Sequence, residues 1–348
     1  MRIAQVAPLY ESVPPRLYGG TERVVFYLTE ELVRLGHEVV LFASGDSVTS
    51  ATLVKVCDGA IRLSNTYRDP IVLHLNMFEE VYKRVDVFDV IHFHTEYLHL
   101  PVAAREKKPF VTTLHGRLDL PEYKGLFSKF KEFPFVSISN SQRKPLSWLN
   151  WKATVYHGLP EELYEPSFKP GSYLAFLGRI SPEKRPDRAI KIAERFGMKL
   201  KIAAKVDKVD EDYFKEVIKP LLKSPWVEFI GEIGESEKQE FLSGAYALIF
   251  PIDWPEPFGL VMIEAMACGT PVIAWNCGSV PEIIEPGKNG FIVESIDQAV
   301  EALEKVNSLD RKVCRECFEK RFTARRMAED YLKVYEGLIH TQPLMEAA

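Results

Sequence analysis

The sequence lacks any long hydrophobic run. No apolar stretch approaches the roughly 18 residues of a membrane-spanning helix, and the opening MRIAQVAPLY is expected to form a first strand rather than a signal peptide. We therefore expect a cytoplasmic protein without an integral membrane segment. The sequence leaves peripheral contact with a membrane open.

Blocks of charge of one sign are also missing, and cysteine is scarce. The 44 basic and 49 acidic side chains are interspersed and leave a net charge of -5. A protein that binds nucleic acid would instead show a basic patch or stripe, so we expect no such partner. The five cysteines are odd in number, and Cys57, Cys268 and Cys277 lie in or beside apolar segments, which favours reduced thiols over disulfides.

The sequence does contain a regular alternation of short apolar runs and amphipathic stretches, which predicts β-α-β units and mostly parallel sheets. A chain of 348 residues is long enough for two domains, and the Pro- and acid-rich segment 159–171 separates two such series. The predicted fold class is α/β with two Rossmann-like, doubly wound domains. The predicted strands are 3–7, 38–43, 90–94, 110–115, 135–139 and 153–157, then 173–178, 200–204, 227–231, 247–252, 271–275 and 290–293; helices are predicted over about 21–35 and 322–339.

Glu256 and Glu264 are the two ends of the segment EPFGLVMIE. Pro257 is favoured at the first position of a helix, so a helix is predicted to open there with unpaired N–H groups that attract a phosphate. Glu264 would lie about 9 Å further along the axis, about the distance from a donor's sugar to its ribose. Two acids at this spacing are otherwise ordinary helix-end charges. The unpaired N–H groups that are predicted to attract the phosphate are those of Phe258, Gly259 and Leu260.

Arg179 and Lys184 follow the predicted strand 173–178 in the segment GRISPEK. They lie at the carboxyl end of that strand, where open α/β sheets bind ligands. A guanidinium and an ammonium fixed there could stabilise a diphosphate without a metal. An isolated pair at this spacing would more often be a solvated basic turn.

Two further segments contain candidate residues. Gly19 and Gly20 open a helix in PRLYGGTERVV, which lets the main chain approach a phosphate, although a glycine pair is more often simple turn chemistry. It does not match G-x-G-x-x-G, so a nicotinamide site is poorly supported. His115 ends the apolar strand FVTTLH, a position where a histidine is usually structural.

The E-x7-E spacing, its EPFG start and the following AMACGTPVIAWNCGSVPEII resemble the GT-B glycosyltransferases of family 4. The segments YGGTE and GRISPEK and the pair His115-Gly116 match the same family. The resemblance implies two Rossmann-like domains that face a central cleft. Residues 1–165 would bind the acceptor, 170–322 would bind the donor, and a final helix at about 325–348 would cross back onto the first domain.

The resemblance also implies an activity. It is the transfer of a hexose from a nucleoside diphosphate sugar to an acceptor hydroxyl, with retention of the anomeric configuration. The transfer would need neither a metal nor a cofactor. A uridine donor is favoured on base rates alone, and the acceptor is not specified. The implied catalytic residues are His115 at the donor sugar, Glu256 positioning that sugar, and Arg179 and Lys184 at the leaving diphosphate. The implied donor-binding residues are Gly19, Gly20, Ile233, Phe258, Gly259, Leu260 and Glu264. Among them, Glu264 would bind the ribose and Ile233 would lie near the base. The implied acceptor-side residues are Tyr18, Glu22 and Asp119, with Arg117 nearby.

Other patterns are weaker. His92 and His94 share one face of a strand, but no further ligands complete a zinc site, and Cys314 and Cys317 have no second pair. Asp210 and Asp212 match a D-x-D metal motif, yet they precede a helix and are interpreted as caps and dipole partners. Two alternative functions stay open, a GT-B sugar epimerase or phosphorylase and a nucleotide-sugar-binding protein without turnover.

Overall fold

The computed structural model describes residues 1–17, 19–62, 64–104 and 107–341 and divides into two compact units. The first unit comprises Met1–Pro160 and the segment that begins at Ala324, and the second comprises Glu161–Thr323. Each unit is built around one sheet.

The part of the first unit that the structure describes contains seven parallel strands in the order β3-β2-β1-β4-β5-β6-β7. Six of them match predicted strands, and β3 was not predicted because it is a four-residue, half-exposed edge strand. The bounds are β1 Arg2–Val6, β2 Glu38–Ala43, β3 Thr52–Lys55, β4 Val90–Phe93, β5 Phe110–Thr113, β6 Phe135–Ser137 and β7 Trp151–Thr154.

Among the described residues of this unit, the α-helices are α1 Gly20–Arg34, α2 Pro70–Tyr82, α3 Leu100–Ala103, α4 Pro121–Phe127 and, from the far end of the chain, α13 Ala324–Thr341. Helix α13 packs on α1 and β4. Its Tyr331 and Tyr335 are fully buried. The last helix therefore forms part of the first unit.

The apolar core on one side of the sheet includes Phe42, Phe78 and Phe93.

The second unit contains six parallel strands in the order β10-β9-β8-β11-β12-β13. Counted from its own first strand this order is 3-2-1-4-5-6, that of the Rossmann fold. The strands are β8 Tyr173–Arg179, β9 Leu200–Lys205, β10 Val227–Gly231, β11 Ala245–Phe250, β12 Val272–Trp275 and β13 Gly290–Val293, and the helices are α5 Pro186–Phe196, α6 Glu211–Tyr213, α7 Lys219–Leu221, α8 Glu235–Ser243, α9 Leu260–Ala267, α10 Val280–Ile283, α11 Ile296–Glu304 and α12 Arg311–Arg321.

The predicted α/β class with two parallel, Rossmann-like sheets is confirmed. Strands β11 and β12 are apolar along their whole length and buried at every position, as expected for parallel strands covered on both faces. No helix in the described ranges combines the length and the apolar character needed to cross a bilayer.

Candidate functional site

The strands β8 and β11 are neighbours in the second sheet, and the strand order reverses between them. In open parallel sheets, ligands bind beyond the carboxyl ends of the strands at such a point. The loop after β8 and the loop after β11 both start there. They are joined by a hydrogen bond of 2.8 Å from the Asp253 N–H to the Glu183 carbonyl oxygen.

Lys184 and Glu256 lie on these two loops, and their side chains form an ion pair between the Lys184 ammonium and Oε2 of Glu256. The Trp254 indole N–H donates to the same oxygen at 2.9 Å, and the ammonium lies 5.2 Å from the centre of a Trp254 ring. The side chains are only 16% and 12% exposed. A buried charge is costly without a partner, and here each charge has an oppositely charged partner.

Arg179, at the end of β8, has different partners. Its guanidinium contacts Glu183, and it lies 3.6 Å from Asp207 and 3.3 Å from Asp210. Because β8 pairs with β9 up to Arg179 and Lys205, the acidic residues after β9 are brought alongside. The second predicted phosphate-binding group is therefore surrounded by carboxylates.

The interpretation of Asp210 as a helix cap is wrong for its side chain. Asp210 precedes α6 but makes no side-chain capping hydrogen bond, and its carboxylate faces Arg179 instead. Burial raises the pKa of Asp210, while the charge of Arg179 acts in the opposite direction. A partner about thirty residues earlier in the chain, adjacent only through sheet pairing, outcompetes the local backbone amides.

Helix α9 begins at Leu260 and not at Pro257, which corrects the predicted helix start. Gly259 precedes it with a φ of 82°, a left-handed conformation that glycine adopts without strain. Phe258 is buried, and its carbonyl oxygen accepts from the Ser279 hydroxyl at 2.7 Å. The amides at the true helix start are therefore those of Leu260 and Val261, and Phe258 and Gly259 belong to the preceding loop.

A second loop supports the backbone at Glu256. The Ser279 N–H donates to the Glu256 carbonyl oxygen at 3.0 Å, and a Cβ added at Gly278 would lie 2.3 Å from the Glu256 backbone nitrogen. Only a residue without a side chain allows this approach. Gly278 and Ser279 were not predicted as site residues, although they lie in the segment NCGSVPE that was noted as part of the family resemblance.

Glu264, the predicted ribose-binding residue, is buried in α9 and pairs with Lys238 of α8 at 2.6 Å. Lys238 also lies 3.4 Å from Glu235. Sequence reasoning missed Lys238 because it is 26 residues away on another helix, and no spacing connects the two. The predicted residue Ile233 lies in the loop between β10 and α8.

In the first unit, Gly19 precedes α1 and Gly20 begins it. A Cβ at Gly19 would lie 2.7 Å from Pro15 and 3.1 Å from Glu11, so the space and not the dihedral angle requires glycine. Glu22 is buried and accepts from the Glu11 N–H at 3.3 Å. Burial raises the pKa of Glu22 to about 7. The predicted residue Tyr18 lies outside the described residues.

His115 follows β5 and is half-buried. Its Nε2 lies 2.9 Å from Nδ1 of His94, and its ring stacks on His157 with centroids 5.4 Å apart. The backbone N–H groups of His115 and Gly116 both donate to Glu96 at 2.9 Å. Burial lowers the pKa of His115 to about 3, so the imidazole is neutral.

Asp119 is placed differently from the other predicted residues. It is exposed and forms a bidentate pair with Arg117 at 2.7 and 2.8 Å. This hydrogen bonding lowers the pKa of Asp119. The structure thus brings Lys184 to Glu256, and Glu22 to the Gly19 loop, whereas Asp119 contacts its sequence neighbour.

The structure also places the histidines and cysteines of the weaker patterns. Within the described ranges, no cluster of three or more His, Cys, Asp or Glu side chains is arranged to hold a metal. The His92 ring contacts Tyr335 and Thr113 at 2.7 Å each. Cys314 and Cys317 are unpaired thiols.

Two family models match the chain. The model described as "Glycosyl transferases group 1" matches residues 165–320, and "Glycosyltransferase Family 4" matches residues 18–158. The protein belongs to the GT-B glycosyltransferases of the family 4 type, as the sequence predicted.

Individual relatives agree with this assignment. An uncharacterised glycosyltransferase from Methanocaldococcus jannaschii is 26% identical and aligns over 84% of this chain and 85% of its own. The sucrose-phosphate synthase structure from Thermosynechococcus elongatus has a TM-score of 0.79 at 18% identity, covering 97% of this chain and 99% of the other. Anabaena HepE, solved with UDP-glucose, has a TM-score of 0.73 at 16% identity, covering 97% and 100%. At these identities the structures show a shared fold.

Proposed function

We propose that the protein transfers a hexose from a nucleoside diphosphate sugar to an acceptor hydroxyl. The transfer retains the anomeric configuration of the sugar and needs no metal. The observation that carries the proposal is the buried pair of Lys184 and Glu256 at the strand ends where the second sheet reverses its order. A uridine nucleotide is the favoured donor. The likeness to a structure that contains UDP-glucose supports that choice.

The chemistry requires positive charge where the diphosphate departs. The bond between the sugar carbon and the phosphate oxygen breaks, and negative charge grows on that oxygen. Lys184 and Arg179 would stabilise this charge together with the amides at the start of α9. Both cations are held by carboxylates in the structure. An arriving diphosphate would compete with these carboxylates for hydrogen bonds that are already charge-assisted.

The remaining roles concern the sugar and the nucleoside. Glu256 would bind sugar hydroxyls, Glu264 the ribose and His115 a further sugar hydroxyl, with the base near Ile233. In the front-face mechanism, the acceptor oxygen bonds to the sugar carbon on the side that the phosphate leaves. The acceptor proton passes to the departing phosphate oxygen, so no side chain acts as the nucleophile.

The test is a donor panel assayed with candidate acceptor alcohols and sugars. We expect acceptor-dependent release of nucleoside diphosphate, a product with the donor's anomeric configuration by NMR, and unchanged activity in a chelator. Inversion or a strict metal requirement would contradict the respective part of the proposal. Nucleotide binding without turnover on any acceptor would favour a binding protein, and interconversion of the donor sugar alone would favour an epimerase.

A further inference from the structure

A chain of hydrogen bonds links buried side chains of the first sheet and α13 and ends at His115. It begins at Tyr335 of α13, whose hydroxyl accepts from Nε2 of Gln5 at 3.1 Å. Oε1 of Gln5 lies 2.8 Å from Nε2 of His94. Nδ1 of His94 lies 2.9 Å from Nε2 of His115. Tyr335, Gln5 and His94 have no solvent exposure.

The chemistry of these groups sets the direction of the chain. The amide oxygen of Gln5 can only accept, so Nε2 of His94 must carry a proton. Burial keeps the pKa of His94 well below its ordinary value, so the ring is neutral and its Nδ1 is an acceptor. Nε2 of His115 must then donate. Since His115 is also neutral, its Nδ1 carries no proton.

The other end of the chain is consistent with this direction. The Tyr335 hydroxyl accepts from Gln5 and can therefore donate to Nδ1 of His92 at 2.7 Å. Nε2 of His92 donates to the Thr113 hydroxyl at 2.7 Å, which can donate to Tyr331 at 2.9 Å. Every contact in the chain thus pairs one donor with one acceptor.

Nδ1 of His115 is buried and has no hydrogen-bond partner among the described residues. Around the ring lie His94, the stacked His157 and Glu96, whose carboxylate accepts the backbone N–H of His115. An unpaired buried nitrogen is destabilising. The atom at which the chain of hydrogen bonds ends is therefore an acceptor that lacks a donor.

We propose that Gln5 and His94 are positioning residues that hold His115 as the Nε2–H tautomer, so that Nδ1 accepts a hydrogen bond from a hydroxyl of the donor sugar. The identity of that hydroxyl rests on the proposed function, whereas the tautomer does not. A ring with the opposite tautomer would present a donor at the same place. The contact would then select for an acceptor group on the ligand.

The tautomer is measured directly by long-range ¹H–¹⁵N NMR on the full chain labelled at its eight histidines, with His115 assigned from the variant His115→Gln. We expect protonated Nε2 and bare Nδ1 in the wild type. In Gln5→Met, which keeps the side-chain length but removes the acceptor, a mixture of the two tautomers is expected. Protonated Nδ1 in the wild type, or an unchanged single tautomer in Gln5→Met, would overturn the proposal.

Binding measurements test the consequence. In Gln5→Met and His94→Phe the affinity for UDP-glucose should fall about three- to tenfold, the loss expected for one hydrogen bond, whereas UDP alone should bind unchanged. His94→Asn should bind as the wild type does, because its amide oxygen can take the place of Nδ1. Equal losses for UDP and UDP-glucose would mean a general structural role and overturn the positioning role.

The matched control is Thr112→Val. It removes a buried 2.7 Å contact to a histidine of the same unit, His99, without touching the chain that ends at His115, so donor affinity should not change. If Gln5→Met does not fold, Tyr335→Phe tests the same step, because it removes the hydroxyl that orients the Gln5 amide. If no donor sugar is transferred, the proposed function fails, while the tautomer measurement still decides this inference.

Discussion

Lys184 and Glu256 are 72 residues apart in the chain, yet they form a buried ion pair at the carboxyl ends of two neighbouring strands. The pair joins the loop after β8 to the loop after β11. Substitutions of Lys184 or Glu256 therefore test both the stability of the fold at these strand ends and the proposed chemistry.

Removal of the Lys184 charge should abolish most of the activity. In Lys184→Met, turnover should fall by at least about 10²-fold, because a preorganised positive group at a developing charge contributes about that much. Steady-state kinetics with the best donor and acceptor measure the effect. Lys199→Gln changes an exposed lysine and should leave turnover unchanged.

Stability separates the two roles of the pair. Lys184→Met leaves the buried Glu256 carboxylate without its cation, which should lower the melting temperature. Adding Glu256→Gln should restore much of the stability but none of the activity. Turnover near the wild-type level in the double variant would remove the pair from the mechanism.

Asp210 should limit how strongly Arg179 binds a diphosphate. Asparagine has nearly the same shape as aspartate but carries no charge, so Asp210→Asn isolates the lost charge. With one carboxylate fewer beside Arg179, we expect a nucleoside diphosphate to bind a few-fold more tightly at low salt, with the gain shrinking as salt rises. Calorimetric titration measures this effect. Glu211→Gln, at an exposed neighbour, is the control, and weaker binding in Asp210→Asn would contradict the prediction.

Gly278 and Gly287 form a matched pair of substitutions. Both have positive φ, 58° and 80°, but a Cβ at Gly278 would collide with the Glu256 backbone, whereas nothing lies within 4 Å of one at Gly287. Gly287→Ala should cost about 1 kcal/mol of unfolding free energy and leave turnover intact. Gly278→Ala should cost more and lower turnover at least about tenfold. Urea unfolding and kinetics on both variants test this, and equal activity would exclude Gly278 as a support for Glu256.

Glu22 should make the protein less stable as the pH rises. Its pKa of about 7 in the folded protein exceeds the ordinary value of 4.5, so the folded state binds the proton more tightly and stability decreases from about pH 4.5 to 7. Nearby are Glu11, its partner Arg62, and Tyr10. Glu22→Gln, which keeps an acceptor for the Glu11 N–H, should gain up to about 3 kcal/mol at pH 8 and nothing at pH 4.

Unfolding free energies at several pH values measure the difference. The exposed Glu38→Gln should follow the wild-type curve. A wild-type pH dependence in Glu22→Gln would show that another group titrates.

The sequence was sufficient for the architecture because parallel strands buried on both faces are marked by unbroken apolar runs. The prediction for β2 matched both of its ends, and those for β10 and β13 did so as well. Strand β3 was not predicted because its sequence, TLVK, is short and half-exposed. The start of α9 was misplaced by three residues, since Pro257 is compatible with a helix start but the left-handed Gly259 sets the actual one.

Side-chain partners were less accessible to prediction. Lys184 and Glu256 were both named from the family motif, but nothing in their spacing indicated that they touch. Lys238 beside Glu264 and Asp210 beside Arg179 depend on which helices and strands become neighbours. The sequence around Asp210 favoured a helix cap because it shows only the residues that are close to Asp210 in the chain, and Arg179 is not one of them.

Helix α13 supplies the hydroxyls of Tyr331 and Tyr335 to a sheet whose strands end at Thr154. During synthesis, the whole of the second unit is made before Tyr331 and Tyr335 are added to the chain. Until then Gln5 and His92 lack part of their hydrogen bonding, so the half of the protein that is translated first can reach its final packing only after the other half has been made.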